Sequence, residues 1–413
     1  MKHPLPVSPL SFDEVCRFLI KLGAAAHAYG STAARLEVFL SRVTKALGFS
    51  GAFRVTPTEM TFAFQEDETQ AQRMHLTALP GGGLDLDKLA RVGELVDDLE
   101  NGSLSLADAS LRLDVIGKTP VPWGQLANAL GYVFIGSGIA VLLSGSWWDV
   151  LFATLYSLVV FGMVVLSGRF GKRAATWLPL SSAFVAAVLT AITKFFLPEL
   201  NVVLVIVSAV VVLLPGYTVS LGIIELVYQH TVSGSTNLMN GLVYLVKQIA
   251  GAWLGVASIK ALLPLVSAAA GKPVNPQWIW FFMPPLIFGL CVVFQTSRRD
   301  FLWAGFGCAI AYGGILLGSA LQGGNLGNLL GTVLAVVFAN LWAWKTRRPT
   351  SIVMLPAIIL LVSGSIGFRG LASMAAGQVS TGEQQFLQMF IVALTIAAGV
   401  LIGNTIVPPK ATL

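Results

Sequence analysis

Residues 201–228 read NVVLVIVSAVVVLLPGYTVSLGIIELVY. A run of about 20 apolar residues is long enough to cross the hydrocarbon core of a bilayer as a helix. Near the middle of this run stand Pro215 and Gly216. Proline lacks the backbone donor of a regular helix and glycine loosens the backbone, so the pair disfavours a continuous helix. The stretch therefore predicts a membrane-spanning helix that is interrupted at this dipeptide.

The acidic residues are distributed unevenly along the 413-residue chain. Residues 1–122 contain 12 Lys/Arg and 15 Asp/Glu, whereas residues 123–413 contain 14 Lys/Arg and only 5 Asp/Glu. The first part has the composition of a soluble domain, and the second has that of a protein in lipid. We place a cytosolic α+β domain at residues 1–118, a first membrane repeat at 119–265 and a second at 266–413.

Ten segments of the second part are long and apolar enough to span a membrane. If the N-terminus is cytosolic, the inward loops hold nine Lys/Arg and the outward loops two, as the positive-inside rule requires. The loop charges therefore predict a cytosolic N-terminal domain and C-terminus, and they account for the basic composition without a nucleic acid partner. The ten segments cover residues 126–144, 148–167, 177–195, 201–224, 237–264, 278–295, 301–319, 326–344, 352–375 and 385–407.

A second interruption is expected at Ser363, Gly364 and Ser365, inside the ninth segment. The fourth and the ninth segments are each the fourth helix of a group of five. Because five is odd, the second group must cross the membrane upside down relative to the first. We therefore predict a mainly α-helical polytopic membrane protein with about ten transmembrane helices in two inverted five-helix repeats.

Helices that break at corresponding positions of inverted repeats point to the binding site of a transporter. The unwound turns expose backbone donors and acceptors, and the half-helix after each turn presents a positive end that suits a carboxylate. A simple proline kink filled by a neighbouring helix is the alternative for either break. The predicted substrate-binding residues are Pro215, Gly216, Thr218, Ser220, Lys247, Ser363, Gly364, Ser365 and Arg369.

Three ionisable residues within the segments are candidates for function, because charges at membrane depth are costly. Lys247 and Arg369 could hold a substrate carboxylate, and Glu225 could carry a coupling proton if burial favours its neutral form. Each of them could equally cap a helix or form a structural pair.

The first 118 residues show no catalytic motif, and the three cysteines, Cys16, Cys291 and Cys308, lack the spacing of metal ligands. We expect no catalytic residue, no cofactor and no metal. The first residues lack the apolar core of a secretory signal peptide. The expected elements are a helix over 12–28, a second helix ending before Gly48, strands near 51–56, 59–65 and 73–79, a helix over 85–100 and a helix from Ser105 to about residue 115.

Four polar residues, His27, Tyr29, Arg35 and Glu37, surround the expected break between the first two helices at Gly30. They could form a polar site, although Arg35 and Glu37 are two residues apart and do not share a helix face.

Three stretches resemble the motifs of the threonine/serine exporter family: HAYGSTAARLEVFLSRVTKALG at 27–48, LLPGYTVSLGIIEL at 213–226 and LPAIILLVSGSIGFRGL at 355–371. The resemblance implies a ten-helix exporter of threonine or serine in the cytoplasmic (inner) membrane that uses the proton motive force. Some members of the family divide the two halves between two chains and are linked to dicarboxylate export. In the second-half motif this chain has Ser363 where a proline is expected.

The resemblance also places Tyr29, Gly30, Arg35 and Glu37 in the N-terminal motif without assigning them a role.

Together these features predict a secondary-active exporter of small amino acids with alternating access around two broken helices. Its partners would be the solute, protons and the lipid bilayer, and self-association stays open. One alternative is a C4-dicarboxylate exporter, which would favour two cations, such as Lys247 and Arg369, in one cavity. A membrane-anchored hydrolase with a catalytic N-terminal domain is another alternative, and a passive channel is a third.

Overall fold

The computed structural model describes residues 11–66, 71–79, 83–264, 270–322, 324–361 and 364–409. The N-terminal part is an α+β domain whose three antiparallel strands lie in the order β1-β2-β3. Its elements are α1 (Phe12–Ala28), α2 (Ala33–Ala46), β1 (Ser50–Val55), β2 (Glu59–Gln65), β3 (Arg73–Ala78), α3 (Leu86–Glu100) and α4 (Leu106–Lys118).

The core of this domain follows from the spacing of its apolar residues. Met60, Phe62 and Phe64 alternate along β2 and are buried against the apolar faces of α1 and α2, which include Leu22 and Leu36. Every helix and strand that the sequence predicts for this N-terminal domain is present. The last helix was predicted too short, since it continues to Lys118.

The second part is a bundle of long apolar helices. Among the described residues, nine helices are long and apolar enough to span a membrane, or ten if one bent pair counts as a single span. This confirms the predicted number of spans. The helices are α5 (Gln125–Leu142), α6 (Trp147–Phe170), α7 (Lys172–Phe196), α8 (Val202–Val210), α9 (Gly216–Val227), α10 (Thr231–Leu262), α11 (Ile279–Val293), α12 (Phe301–Gln322), α13 (Gly324–Thr346), α14 (Ser351–Leu361), α15 (Gly364–Ala375) and α16 (Val379–Ile406).

The fourth span is interrupted where the sequence predicts it. Helix α8 ends in one 3₁₀ turn, Val211–Leu213, and α9 begins at Gly216 after a bend of 60°. The ninth span differs: α14 and α15 together form one candidate span, and only the α8–α9 pair is bent by more than 40° among the described residues. Ser363 lies outside the described residues.

The α+β domain formed by α1 to α4 and β1 to β3, which we call the soluble domain, docks on one end of the bundle. At the start of α3, the backbone N–H groups of Leu86 and Asp87 donate to the carbonyls of Phe294 and Gln295 at the end of α11, at 3.2 and 2.9 Å. These bonds satisfy groups that helix ends normally leave unpaired. Nearby, Arg348 lies 3.1 Å from Glu94 and 3.0 Å from Asp300. We call this end of the bundle the near face and the opposite end the far face.

The fourth and ninth spans, which we call the interrupted spans after the predicted breaks, run in opposite directions. Helix α9 ends at the near face, where His230 approaches Glu37 of α2, and α14 begins there, where Ser351 contacts Arg35. Helix α8 contacts α15, and α9 contacts α14. Opposite directions are what inverted repeats require, and the inverted repeat itself stays a prediction.

Candidate functional site

The two predicted interruptions meet inside the bundle. A Cβ atom placed on Gly364 would lie 3.0 Å from the Cα of Gly216 and 3.3 Å from the Cβ of Leu214. The backbone of α15 therefore begins in direct contact with the first residue of α9. Glycine at position 364 permits this close approach, because a Cβ there would crowd the backbone of Gly216.

A cavity of about 570 Å³, which we call the near cavity, lies beside this contact. Its lining includes the 3₁₀ turn Val211–Leu213 with the unwound residues 214–215 that follow it, the first turn of α9 and the start of α15. The walls are mostly apolar, and a few polar groups face the space, as in small-molecule sites generally. The polar side chains of the lining are Tyr132, Tyr217, Thr218, Asn240, Tyr244 and Ser365.

The interruption leaves backbone groups available at this cavity. The first turn of α9 has N–H groups without an intrahelical acceptor, and they carry the positive end of the helix dipole. The carbonyl of Leu213 accepts a hydrogen bond from Gln248 Nε2 at 3.1 Å. Gln248 is fully buried and holds the unwound segment against α10. The arrangement can bind a small solute with one carboxylate and further polar groups.

Several predicted site residues do not line this cavity. Lys247 is half-buried and lines neither this cavity nor the second one described below, and Ser220 is buried away from both. Arg369 lines a separate cavity with Ser373 and Gln385. Lys247 and Arg369 therefore do not share a cavity, which is the arrangement that would have favoured a dicarboxylate. The residues that the structure brings together are Pro215, Gly216, Thr218, Gly364 and Ser365.

Glu225 lies near the end of α9 at the near face and is 2% exposed. Its Oε2 accepts hydrogen bonds from Ser233 Oγ and Asn237 Nδ2, both at 2.8 Å. Its Oε1 has no partner among the described residues. The backbone N–H of Ala33, at the start of α2, also interacts with this carboxyl group. The carboxyl group therefore contacts both the bundle and the soluble domain.

The motif residues Tyr29 and Gly30 position a loop of the soluble domain at the near cavity. Gly83 N donates to Ala28 O and Asp85 N donates to Tyr29 O, both at 3.2 Å. Gly30 has φ +102°, and a Cβ there would lie 2.6 Å from Leu84 Cδ2. Glycine is therefore needed both for the turn and for the approach of Leu84, which lines the cavity.

The motif residues Arg35 and Glu37 point in different directions, as their spacing predicts. Arg35 Nη1 donates to Ser351 Oγ at 3.0 Å, and Nη2 lies 3.3 Å from Met354 Sδ. Burial lowers the pKa of Arg35, and Tyr217 and Tyr228 partly oppose this shift. Glu37 accepts from Val55 N at 2.8 Å. The structure thus gives these residues separate contacts and does not gather them into one polar site.

The most informative residues that the sequence did not reveal are Leu84, Tyr132 and Tyr244. They come from the soluble domain, α5 and α10, and each lies in a segment with no motif of its own. Asn240 was only weakly recognisable as a cavity residue from the sequence. A polar residue within an apolar helix indicates either a buried contact between helices or a binding site.

Comparisons with known proteins find similar sequences over most of the chain. A family model described as "Putative threonine/serine exporter" matches residues 17–259, and one described as "Threonine/Serine exporter, ThrE" matches residues 277–406. The chain is 24% identical to a "Threonine/serine exporter" of Corynebacterium glutamicum, over 77% of this chain and 67% of that protein. No solved structure matches the chain significantly.

Two further relatives share less of their length with the chain. It is 22% identical to a "Probable threonine/serine exporter" of Mycobacterium tuberculosis, over 79% of this chain and 63% of that protein. It is 24% identical to a "Pheromone-regulated membrane protein 10" of Candida albicans, over 89% of this chain. The aligned region spans only 34% of the length of that fungal relative.

Proposed function

Because the chain belongs to the threonine/serine exporter family, we propose that it exports threonine and serine across the cytoplasmic membrane by proton-driven alternating access. In this proposal, the solute binds in the near cavity, beside the contact of Gly216 with Gly364. The N-terminal domain and the C-terminus lie on the cytosolic side. The near face is then the side from which the solute enters.

The observation that carries the proposal is the open backbone of the interruption at the wall of a mostly apolar cavity. The positive end of α9 would receive the solute carboxylate, and Thr218 would bind its hydroxyl group. Ser365 and the carbonyls of the unwound segment would accept hydrogen bonds from the ammonium group. Every polar group of threonine or serine then has a partner of the appropriate kind.

The charges of the cavity favour an amino acid over a C4 dicarboxylate. A dianion would need two cations, and no Lys or Arg lines the near cavity among the described residues. A zwitterion needs only one positive helix end and several acceptors. The dicarboxylate exporter therefore stays the second candidate, supported by the family resemblance and not by this cavity.

We assign the coupling proton to Glu225. Its carboxyl group is buried, and one oxygen has no partner among the described residues. Its contact with Ala33 connects the proton site to the soluble domain, so a change in protonation would affect docking. Glu225→Gln keeps the size of the side chain, and it should abolish efflux driven by a pH gradient but leave solute exchange intact. Efflux that still responds fully to the gradient would contradict this assignment.

The function is tested with proteoliposomes loaded with labelled threonine, serine or succinate, with and without an imposed pH gradient. We expect gradient-dependent efflux of threonine and serine. Thr218→Val removes one hydroxyl group from the cavity and should weaken threonine transport by roughly tenfold, which corresponds to about one hydrogen bond. Ser220→Ala is the matched control, since Ser220 is buried outside the cavity. Efflux of succinate alone, or efflux unaffected by collapse of the gradient, would overturn the proposal.

A further inference from the structure

A second cavity of about 180 Å³, which we call the far cavity, lies between α8, α15 and α16. Four of its seven lining residues are polar: Asn201, Arg369, Ser373 and Gln385. Its volume has room for several water-sized groups. It is separate from the near cavity, since the two share no lining residue.

The far cavity lies on the other side of the interruption from the soluble domain. Asn201 caps the far end of α8, whose other end leads into the 3₁₀ turn before the break. Arg369 follows Gly364 by five residues along α15, which is about 7.5 Å of helix toward the far face. The two cavities therefore flank the contact between the interrupted spans, one on each side.

Arg369 has no counter-ion in the described part of the chain. Its Nε is buried without a hydrogen-bond acceptor, and no described carboxylate lies close enough to interact with it. Arginine stays charged in proteins, and a charged side chain at membrane depth is costly unless a partner compensates it. An uncompensated guanidinium in the wall of a cavity is therefore suited to an anionic ligand.

The far cavity also offers an acceptor. The Oε1 atom of Gln385 is buried and has no donor among the described residues. A guanidinium that lacks an acceptor and an amide oxygen that lacks a donor together complement a molecule with one carboxylate and one ammonium group. Among the described residues no second cation lines the cavity, so a dicarboxylate would leave one of its charges unpaired.

We propose that the far cavity is a second binding site for the exported solute, in which Arg369 receives the carboxylate and Gln385 receives the ammonium group. The identity of the solute rests on the proposed function, whereas the site rests on its own geometry. The planar guanidinium can form two parallel hydrogen bonds with a carboxylate. A solute that leaves the near cavity would pass the contact of the interrupted spans and bind here before release.

The test uses Ser373→Cys, which places a thiol in the lining of the far cavity, in the full chain in lipid nanodiscs. The native cysteines Cys16, Cys291 and Cys308 are buried, so their reaction with a polar thiol reagent should be slow. Threonine and acetate should slow the labelling of Cys at this position. When Arg369→Gln is added, the concentration of threonine or acetate that halves the labelling rate should rise by roughly 30-fold or more. This is the loss expected when one partner of a buried charge pair is removed.

Lys247→Gln is the matched control, since it removes a half-buried membrane cation that lines neither cavity. It should leave the protection unchanged. Equal protection in Arg369→Gln and in the control would overturn the proposal. Protection by chloride without protection by threonine or acetate would overturn it as well, because the site would then bind a simple anion.

A second measurement needs no introduced cysteine. Threonine and acetate should raise the melting temperature of the unmodified protein, and Arg369→Lys should retain more of this increase than Arg369→Gln. No increase with any carboxylate would contradict the proposal. If acetate acts through Arg369 but threonine is neither bound nor transported, the site stands and the proposed solute is wrong. If threonine is transported and Arg369→Gln binds it normally, the function stands and the site is wrong.

Discussion

Gly364 lies where the backbones of the two interrupted spans touch, so one added methyl group there should disturb the site. A Cβ there would lie 3.0 Å from Gly216 Cα, which is a backbone atom and cannot rotate away. Gly364→Ala should therefore separate the interrupted spans and destabilise the protein by about 1–3 kcal/mol, the usual effect of overpacking. The rate of threonine efflux should decrease together with the stability.

Gly305→Ala provides the control for this substitution. It also places a methyl group on a membrane helix, but the nearest atom would lie at an ordinary contact distance of 3.7 Å. Thermal unfolding in detergent and threonine efflux should be measured for both variants. Equal stability and equal transport would show that the two backbones do not touch.

His27 predicts a pH dependence of the soluble domain. Burial lowers the pKa of this imidazole, which a backbone hydrogen bond involving Thr56 partly opposes. The unfolded chain therefore binds more protons below the ordinary histidine pKa of about 6.5. The melting temperature should fall as the pH decreases from about 7.5 to 5, and His27→Gln should reduce this decrease. The same pH profile in the variant would contradict the assignment.

At the scale of residues, the sequence predicted the part of the site that lies in one motif. Pro215, Gly216 and Thr218 were found because helix breakers inside an apolar run are a local signal. The sequence could not tell whether Lys247 and Arg369 lie at the same site, because a charge within a span indicates an energetic cost and gives no position. Leu84 could not be found, since its contact with the cavity depends on a fold that joins distant segments.

Helices α12 and α13 show how small residues control the packing of whole elements. A Cβ on Gly314 would lie 2.5 Å from Gly331 Cα, whereas a Cβ on the neighbouring Gly313 would meet nothing within 4 Å. Gly314→Ala should destabilise the protein by about 1–3 kcal/mol. Gly313→Ala should leave stability unchanged or raise it by up to about 1 kcal/mol, because alanine favours helix. Thermal unfolding of the two variants distinguishes these outcomes, and equal melting temperatures would contradict the packing.

The loop before α3 predicts an effect of the soluble domain on transport. Leu84 lines the near cavity, so Leu84→Trp should fill part of its volume and raise the half-saturating concentration of threonine. Leu111→Trp makes the same exchange at an exposed position of α4, 64% accessible, and should have little effect. Uptake and efflux in proteoliposomes measure both variants. If Leu84→Trp transports like the control, the loop does not contribute to the site.

At the scale of elements, hydrophobic length predicted the number of spans well and their ends less well. Helix α10 begins at Thr231 instead of 237, and α16 begins at Val379 instead of 385. Both helices begin with polar residues that continue the helix beyond the apolar segment, and hydropathy cannot detect such extensions. The bend of 60° at Pro215 was predictable in position but not in size.

At the scale of the whole molecule, the soluble domain is part of the transport machinery in this account. Arg35 contacts Ser351, Glu94 contacts Arg348, and Ala33 interacts with Glu225. These contacts connect residues that are far apart in the sequence, so no local pattern could reveal them. Composition separated the two parts of the chain but gave no information on how they dock.

The two cavities suggest how the proposed alternating access would work. The near cavity reaches the soluble domain, the far cavity lies toward the opposite face, and the contact between Gly216 and Gly364 lies between them. The antiparallel course of the two spans would let one motion open one side while it closes the other. Movement of the spans past each other would then carry the solute from the first cavity to the second.

The most direct test of the account is the location of bound solute. A structure determined by electron cryomicroscopy in lipid nanodiscs with saturating threonine should show solute density beside Thr218, between the first turn of α9 and the start of α15. Threonine density confined to a site that touches neither interrupted span, with the near cavity empty, would contradict the central claim.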